Sequence, residues 1–473
     1  MSFSTPKPGD TPYDSVLAPF FHDPGLPFAD VLTAEDIAQA FAEAGARFGQ
    51  TRRSFWTPAL TLWTLLSQVL GGADKSCRAA VMRAFAAMAL TRAPEDIDTG
   101  NYCRAVAKLP VVVLQRLTLQ VGWRLEEQAP AAWRWHDRHA VLVDGFTTTL
   151  PDTAANQKVY PQPQTQKEGL GFPLMRVVVL MSLATAAVQG MAMGPYMGKE
   201  TGETALLRRL IPQLKPGMVV VADRYFCSYF MVALLQAAGV DVVVRLHQRR
   251  ASDFRCGRRL GPGDHVVVWP RPACPEWMDE ETYAGMPETI EIREVRKEIT
   301  KPGWRVKRLN VVTTILDAEE YDSEEIAELY HKRWQVELDI RAIKTTLRMD
   351  ELRCKSPEMV EREIWAHMLA YNLIRKVAAQ AAVQRGVCAR AISFAASRQV
   401  VLASWSKMTE GTAAKRRRLG RKELRVLGKE QVGQRPGRVE PREKKRRPKP
   451  QKLLKKPRKE RQAELLAAGR EGR

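Results

Sequence analysis

The 473-residue sequence predicts an α/β protein with an all-α N-terminal part and a basic, disordered C-terminal tail. Three observations lead to this prediction. Apolar strand-like runs alternate with helical patterns between His139 and His247. Apolar residues at helical spacing dominate residues 1–137. Lys and Arg crowd the C-terminus, where apolar side chains are scarce. The length allows two or three such parts with a sizeable core.

The N-terminal part, residues 1–137, is predicted to be a helical DNA-binding domain. Thr33 precedes a run with Ile37 and Phe41 at helical spacing, and Thr57 precedes the nearly all-apolar helix PALTLWTLLSQVL. Scattered Arg side chains in this part favour contact with DNA. A helical domain that only packs on the rest of the chain explains the same pattern, and that alternative stays open.

The middle of the chain predicts a mixed sheet covered by helices. The strands are AVLVDG, PLMRVVVLMSLA, GMAMGPY, MVVVAD and VDVVVRL, and the helices TALLRRLIPQL and YFMVALLQAAG lie among them. Three strands followed by strand–helix units are typical of such a sheet. The polar segment from Asp152 to Phe172 is long for a link between strands, and long loops are often functional.

Two aspartates follow apolar strands directly, Asp144 in AVLVDGF and Asp223 in MVVVADRYF. In open α/β sheets the carboxyl ends of strands are where sites form. With Glu337 they make three carboxylates from distant parts of the chain, and hard oxygen ligands suit Mg²⁺ or Mn²⁺. Each Asp alone could be a turn residue or a helix cap. The three together favour a metal site.

The stretch YHKRWQVELDIRAIK predicts one helix with a chemically mixed face. Tyr330, Arg333, Glu337 and Lys344 lie at offsets of 0, 3, 7 and 14 residues, which fall on one side of an α-helix. A carboxylate beside two cations suits a metal-bound phosphate, since Arg and Lys hold phosphate oxygens. A solvated face with i,i+4 ion pairs explains this helix equally well on its own. The two upstream aspartates favour the site.

These residues resemble a known family. Asp144, Asp223 and Glu337 look like the DDE triad of the insertion-sequence-4 family of bacterial transposases. The spacing Tyr330-x2-Arg333-x3-Glu337-x6-Lys344 is similar to its Y-R-E-K signature, and DRYF to its second-Asp motif. The resemblance covers roughly residues 138–385. It implies a ribonuclease-H-like catalytic core in two parts, 138–247 and 307–390, and a β-rich insertion at 248–306. The basic tail at 391–473 is predicted from its charge.

The resemblance implies a DDE-type DNA transposase. Such an enzyme cuts at the terminal inverted repeats of an insertion sequence and joins the 3′ ends to target DNA by two-metal-ion phosphoryl transfer. Asp144, Asp223 and Glu337 would be the catalytic residues and would bind two Mg²⁺ ions, with Mn²⁺ able to substitute. The implied DNA-binding residues are Tyr330, Arg333, Lys344 and Arg224. The implied partners are double-stranded DNA, as repeats and as target, and a second protomer in a paired-end complex.

Three tryptophans fall in or beside the predicted insertion: Trp269, Trp277 and Trp304. In some related transposases a tryptophan of the insertion stacks on a base flipped out of the duplex. None of the three has the family's position just before the strand that leads to Tyr330. A packing role is therefore the preferred interpretation for each.

Charge and cysteine content indicate the kind of partner and the cellular compartment. The net charge is +21, and residues 411–473 hold 24 Lys and Arg against 7 Asp and Glu. A basic end of this kind indicates nucleic acid rather than a membrane as partner. Seven widely spaced cysteines without a CxxC pair predict reduced thiols and no zinc site. We expect a cytoplasmic, nucleoid-associated bacterial protein.

The sequence allows three alternatives to a transposase. A transposase-derived DNA-binding protein is disfavoured because all three carboxylates are present. A ribonuclease-H-like nuclease without strand transfer is disfavoured by the separation of 114 positions from Asp223 to Glu337 and by the signature spacing. A basic RNA-binding protein has only the tail in its favour, without a stacked-aromatic module.

Overall fold

The computed structural model describes residues 12–49, 54–72, 74–88, 98–299, 308–433 and 454–471. The described N-terminal part is helical, as predicted. Thr33 caps the second helix in a capping box with Asp36, and Thr57 caps the third. The helices are α1 (Tyr13–Leu17), α2 (Ala34–Glu43), α3 (Pro58–Leu70), α4 (Cys77–Met88), α5 (Thr99–Ala107) and α6 (Val111–Glu127).

The described strands form one sheet. They are β1 (Ala140–Thr149), β2 (Leu174–Ser182), β3 (Val188–Pro195), β4 (Val219–Ala222), β5 (Asp241–Arg245), β6 (Arg258–Gly261), β7 (Asp264–Pro270), β8 (Thr289–Glu298) and β9 (Arg308–Thr313). Their order is β3-β2-β1-β4-β5-β9-β8-β7-β6. The mixed α/β class is confirmed, and each strand predicted between residues 139 and 247 is present.

Strand direction changes across this sheet. β1, β4 and β5 run parallel, whereas β2 pairs antiparallel with both β1 and β3. β9 pairs antiparallel with β5 on one side and with β8 on the other. Through β9, the strands of the predicted insertion continue the hydrogen-bonded ladder of the central strands.

The remaining helices lie between the strands or after them. They are α7 (Ala154–Val159), α8 (Glu203–Arg208), α9 (Tyr229–Ala237), α10 (Glu280–Ala284), α11 (Ser323–His331), α12 (Trp334–Arg341), α13 (Pro357–Arg385), α14 (Phe394–Glu410), α15 (Ala413–Leu427) and α16 (Arg458–Glu471). No described helix alone has both the length and the apolar character to cross a bilayer; α5 and α6 reach them only together, across a 72° bend.

The long helix α13 joins the N-terminal helices to the sheet. Asn372 donates to the carbonyl oxygens of Thr118 on α6 and Val188 on β3, each at 2.9 Å, and accepts from the Val188 N–H at 2.8 Å. Gly122 permits this close approach, because a Cβ there would lie 2.0 Å from the Val188 carbonyl oxygen. The N-terminal helices and one face of the sheet therefore share an apolar core.

The prediction of a disordered tail is wrong for its described parts. Residues 394–427 form α14 and α15, whose Val401, Met408, Leu424 and Leu427 are buried. The prediction failed because it used the overall charge of the segment, which does not show a few apolar residues at helical spacing. Such a stripe is enough to pack a helix against the core. α16 is also helical, although its Leu465 and Leu466 are exposed. Residues 434–453, which contain much of the predicted basic run, lie outside the described part.

A buried ion network fixes α12 against its neighbours. Asp339 is 2% exposed and accepts from Arg375 of α13 at 2.7 Å and from Arg390 at 2.8 Å. Arg375 also donates to the Tyr371 hydroxyl, and Arg390 donates to the carbonyl oxygen of Ser182. Each buried charge therefore has partners, which is the condition for tolerating ions in a core.

Replacing Asp339 with Ala is expected to lower the free energy of unfolding by about 3–5 kcal/mol, because the buried Arg375 and the partly buried Arg390 lose their counterion. Urea denaturation at neutral pH measures this change. Glu351→Ala is the matched control, since Glu351 is an exposed carboxylate paired with Arg348, and it should leave stability nearly unchanged. Equal effects of the two substitutions would contradict a structural role for the network.

Candidate active site

Strand register delivers two of the predicted carboxylates to one edge of the sheet. β1 and β4 are parallel, and Leu142 pairs with Val221 at the end of their common ladder. Asp144 and Asp223 each lie two residues beyond that pair. Parallel neighbours with this register bring the two residues level with each other, at the carboxyl end of β4.

Asp144 does not end its strand, contrary to the prediction that it follows the strand directly. β1 continues to Thr149, and Asp144 lies opposite Val179 of β2. A Cβ at Gly145 would lie 2.5 Å from Cδ of Glu203, so any larger residue there would require the Glu203 side chain to shift. Only the pairing with β4 stops before Asp144, which leaves this residue at the edge of the parallel part of the sheet.

Asp223 follows β4 directly, as predicted. Its carboxylate accepts from the Tyr225 N–H at 2.7 Å and caps a single 3-10 turn, Arg224–Phe226. The sequence left open that this residue is a helix cap, and in the structure Asp223 does cap this turn. The cap also fixes the carboxylate at the end of the strand, so it is compatible with a role in the site.

The Tyr330–Lys344 stretch is not the single α-helix that was predicted. Between α11 and α12 the chain makes a turn at Lys332 and Arg333, and after α12 it widens into a π-helical turn, Ala342–Thr346. Four side chains spaced for one ideal helix therefore do not share one ideal face. π-Helical turns are uncommon and occur frequently at functional sites.

Arg333 connects the first and third carboxylates. Its Nη2 donates to Oε1 of Glu337 at 2.5 Å, and its Nη1 lies 3.4 Å from Oδ2 of Asp144. The Arg333 side chain is 16% exposed, so these charges interact in a partly dehydrated setting. Within the ranges that the structure describes, no three acidic, His or Cys side chains are arranged as a set of metal ligands. In this arrangement the guanidinium pairs with both carboxylates.

The carboxylates influence one another electrostatically. Burial raises the pKa of Asp144 to about 6, and the negative charges of Asp223 and Glu337 add to this rise. The Gly145 N–H and the Arg333 guanidinium oppose it. Asp144 resists ionisation mainly because it is buried, and the neighbouring carboxylates add to this effect, so a cation bound beside them would be favoured.

The other predicted DNA-binding residues surround this centre. Lys344 donates to the carbonyl oxygen of Thr147 at 2.8 Å and so ties the π-helical turn to β1. Tyr330 is 9% exposed, and burial raises its pKa. Arg224 is half-buried, with Nη1 3.5 Å from Oε1 of Gln248. Contact of these side chains with DNA stays a prediction.

Two charged residues beside the site were missed by the sequence analysis. Arg245 ends β5, next to β4; burial lowers its pKa, and the charges of Arg224, Tyr330, Arg333 and Asp223 act on it. Its place after the apolar run VDVVV is the same signal that identified Asp223. Glu203 at the start of α8 lies against Gly145, and burial raises its pKa, with a contribution from Asp223. No motif marks Glu203.

The described tryptophans of the insertion have packing contacts. Trp269 on β7 is 5% exposed, and the Arg250 guanidinium lies 3.9 Å from its ring centre. Trp277 is packed against Phe230 and lies under the Arg208 guanidinium at 3.7 Å. Trp304 lies outside the described residues. The packing interpretation is confirmed for Trp269 and Trp277.

An α/β sheet with carboxylates near one edge is the arrangement expected of a metal-dependent enzyme that acts on phosphate esters. Comparison with known proteins gives the family. Residues 135–373, half of the chain, match the family model described as "Transposase DDE domain". The chain therefore belongs to the DDE transposase family, and the resemblance inferred from the signature residues is confirmed.

Individual relatives agree with the family. The transposase InsG of insertion sequence element IS4, from Escherichia coli strain K12, is 26% identical over 285 residues, which are 58% of this chain and 62% of InsG. The transposase of insertion sequence element IS421 from Escherichia coli is 41% identical over 64 residues, covering 14% of this chain and 17% of that protein. The match to InsG thus leaves more than a third of InsG uncovered.

The piggyBac transposase, solved as a synaptic complex with hairpin DNA, gives a TM-score of 0.41 at 10% identity over 89% of this chain and 84% of that one.

Asp144→Asn removes a carboxylate whose pKa rises from 3.8 to about 6 on folding. Because the folded protein holds this proton more tightly, ionisation of Asp144 costs stability increasingly between those pH values, and the cost is constant above them. In the presence of a chelator, the variant should therefore gain stability over the wild type, reaching about 3 kcal/mol at pH 8. Urea denaturation at pH 4.5 and pH 8 measures the gain. The exposed Asp350→Asn should show none, and a gain independent of pH would contradict the argument.

Proposed function

We propose that this chain is a DDE-type DNA transposase that cuts at the terminal inverted repeats of an insertion sequence and joins the 3′ ends to target DNA. The observation that carries the proposal is the convergence of Asp144, Asp223 and Glu337, with Arg333 paired to two of them. Membership of the DDE transposase family supports the same assignment.

The catalytic core is proposed to be ribonuclease-H-like and to comprise residues 138–247 and 307–390. Its support is the strand order β3-β2-β1-β4-β5, with an antiparallel meander followed by two parallel strands. α12 then supplies the third carboxylate beside the edge of β1 and β4. Residues 248–306 form the insertion between the two parts, and residues 1–137 would recognise the repeats.

The donor set fits hard divalent cations. Arg333 joins Asp144 to Glu337, and Asp223 lies near enough for its charge to add to the burial that raises the pKa of Asp144. Carboxylate oxygens are the ligands that such cations prefer. Asp144, Asp223 and Glu337 would hold two Mg²⁺ ions, which Mn²⁺ could replace. When bound, these ions supply activation of water or of a 3′-hydroxyl for attack on phosphorus and stabilisation of the departing 3′-oxygen.

The basic residues would then bind DNA phosphates. Once Asp144 and Glu337 bind cations, Arg333 loses its ion-pair partners, and its planar guanidinium suits bidentate contact with phosphate oxygens. Lys344 and Arg224 would add positive charge on either side of the scissile phosphate, and the Tyr330 hydroxyl would donate to another phosphate. Arg245, next to Asp223 in the site, would share this task.

α15 is proposed to contact the DNA backbone away from the scissile bond. Exposed cations cover most of this helix: Lys415, Arg417, Arg418, Arg421, Lys422 and Arg425. Its buried leucines and the ion pair of Arg417 with Asp23 hold the helix in place. Action at two repeat ends would need a second protomer in a paired-end complex, and the work would take place on the bacterial nucleoid.

Incubating the full chain with a labelled duplex of the DNA that flanks its own gene tests the proposal. With Mg²⁺, 3′-hydroxyl ends should form at an inverted repeat, and these ends should join to a supercoiled target plasmid. Glu337→Gln should slow the cleavage at least about a hundredfold, because the loss of one ligand removes several kcal/mol of transition-state stabilisation. Gel separation of the labelled strands measures both steps.

Glu351→Gln is the matched control for this assay, since it changes an exposed carboxylate on the segment after Lys344. It should cleave like the wild type. Sequence-specific binding without cleavage in Mg²⁺ or Mn²⁺ would indicate a transposase-derived DNA-binding protein. Cleavage without joining would indicate a nuclease.

Salt dependence tests α15. Changing Arg418, Lys422 and Arg425 together to Ala should reduce the slope of log affinity against log salt by about 3, since each lost phosphate contact accounts for about 0.9. Fluorescence anisotropy with a duplex oligonucleotide measures the slope. Arg308→Ala, a control at an exposed arginine paired with Glu298, should leave it unchanged. An unchanged slope in the triple variant would exclude α15 from the interface.

A further inference from the structure

A cavity of about 400 Å³ lies away from the carboxylates, where the N-terminal helices meet the chain that follows the π-helical turn. Its wall carries three of the seven cysteines, Cys77, Cys103 and Cys354. Apolar side chains, Gln68 and Tyr102 line part of the rest, and charged side chains, among them Lys75 and Glu363, line the remainder. None of these residues takes part in the proposed phosphoryl transfer.

Two of the thiols are in contact. Sγ of Cys103 donates to Sγ of Cys77 across 3.6 Å. Cys77 is the first residue of α4, and Cys103 lies within α5. Both side chains are partly exposed and border the cavity, so a small solute can reach them. A disulfide needs an S–S distance of about 2.05 Å, so the sulfurs would have to approach by about 1.5 Å.

The surroundings shift the pKa values of the two thiols in opposite directions. The hydrogen bond from Cys103 is the main influence that lowers the pKa of Cys77 to about 6, with Gln68 contributing and burial opposing. Gln68 is itself held by a 2.6 Å hydrogen bond from the Tyr102 hydroxyl. The first turn of a helix also favours a thiolate. The same contact and burial raise the pKa of Cys103, so Cys77 is the thiol that ionises more readily.

We propose that Cys77 and Cys103 form a reversible disulfide when the protein meets hydrogen peroxide, with Cys77 as the reacting thiolate and Cys103 as the resolving thiol. The proposal rests on the sulfur–sulfur contact, the access through the cavity and the helix-terminal position of Cys77. It does not depend on the proposed transposase activity.

The chemistry proceeds in two balanced steps. The Cys77 thiolate attacks one peroxide oxygen, the O–O bond breaks, and hydroxide leaves and takes up a proton, so that Cys77 becomes a sulfenic acid. The Cys103 sulfur then attacks the Cys77 sulfur and loses its proton, the S–O bond breaks, and a second hydroxide leaves as water. Overall, two thiols and one peroxide give one disulfide and two waters, and a dithiol reductant reverses the bond.

The cross-link would lie beside the segment that carries Lys344. Lys75, two residues before Cys77, donates to the carbonyl oxygen of Leu347, directly after the π-helical turn. Its ammonium also lies 2.9 Å from Nε2 of the buried His367 on α13. The modified pair is thus adjacent to the contact that joins the N-terminal helices to this turn.

Peptide mapping of the full chain tests the proposal. The reduced protein is treated with one equivalent of hydrogen peroxide, alkylated under denaturing conditions and digested with trypsin. Free thiols should fall from seven to five. The peptide of residues 76–78 should appear joined to that of residues 93–104, and dithiothreitol should restore both. This readout uses the wild-type protein and needs no variant to fold.

Variants assign the two roles. Cys103→Ser should leave a sulfenic acid on Cys77 that dimedone traps, whereas Cys77→Ser should abolish both the cross-link and the trapped adduct. Cys388→Ser is the matched control, because Cys388 is an exposed cysteine outside the cavity, and it should form the cross-link like the wild type. Oxidation of Cys256, Cys274 or Cys388 while Cys77 and Cys103 stay reduced would overturn the proposal, as would a cross-link from Cys77 to Cys354.

Discussion

The position of the third carboxylate depends on a buried charge two residues further along the same helix. At about 100° per residue, Glu337 and Asp339 point to nearly opposite sides of α12. Asp339 is held in the core by Arg375 and Arg390, and Glu337 therefore faces the edge of β1 and β4. Because unpaired ions are costly in a core, rotation of α12 would break two strong interactions at once. The ion network thus sets the direction in which the site residue points.

The carboxylates of the site repel one another in a partly buried environment. Burial and neighbouring carboxylates raise the pKa of Asp144, and Arg333 provides only part of the opposing charge. Ionised carboxylates that are partly buried beside one another lower the stability of the fold, and a bound cation would reduce that cost. The core network at Asp339 and the apolar contacts of α13 supply the rigidity that the site lacks.

Local patterns in the sequence predicted the local features. The strands, the caps at Thr33 and Thr57, and the place of Asp223 after β4 follow from periodicity and capping chemistry that a few neighbouring residues contain. Features set by distant parts of the chain were missed. The break near Arg333 and the π-helical turn interrupt a sequence with uninterrupted helical character. Gly145 is explained only by Glu203, 58 residues away, and the docking of α15 depends on buried surface that composition does not reveal.

The antiparallel pairing of β9 has a mechanical consequence. β9 shares backbone hydrogen bonds with β5 on one edge and with β8 on the other, so β6, β7 and β8 belong to the same ladder as the strands that carry Asp144 and Asp223. Sliding such a ladder by one residue would turn every buried side chain to the wrong face. Each surface on β6–β8 therefore lies at a constant distance from the carboxylates, set by the number of strands between them. A polymer bound along the sheet would contact the two regions at that constant separation.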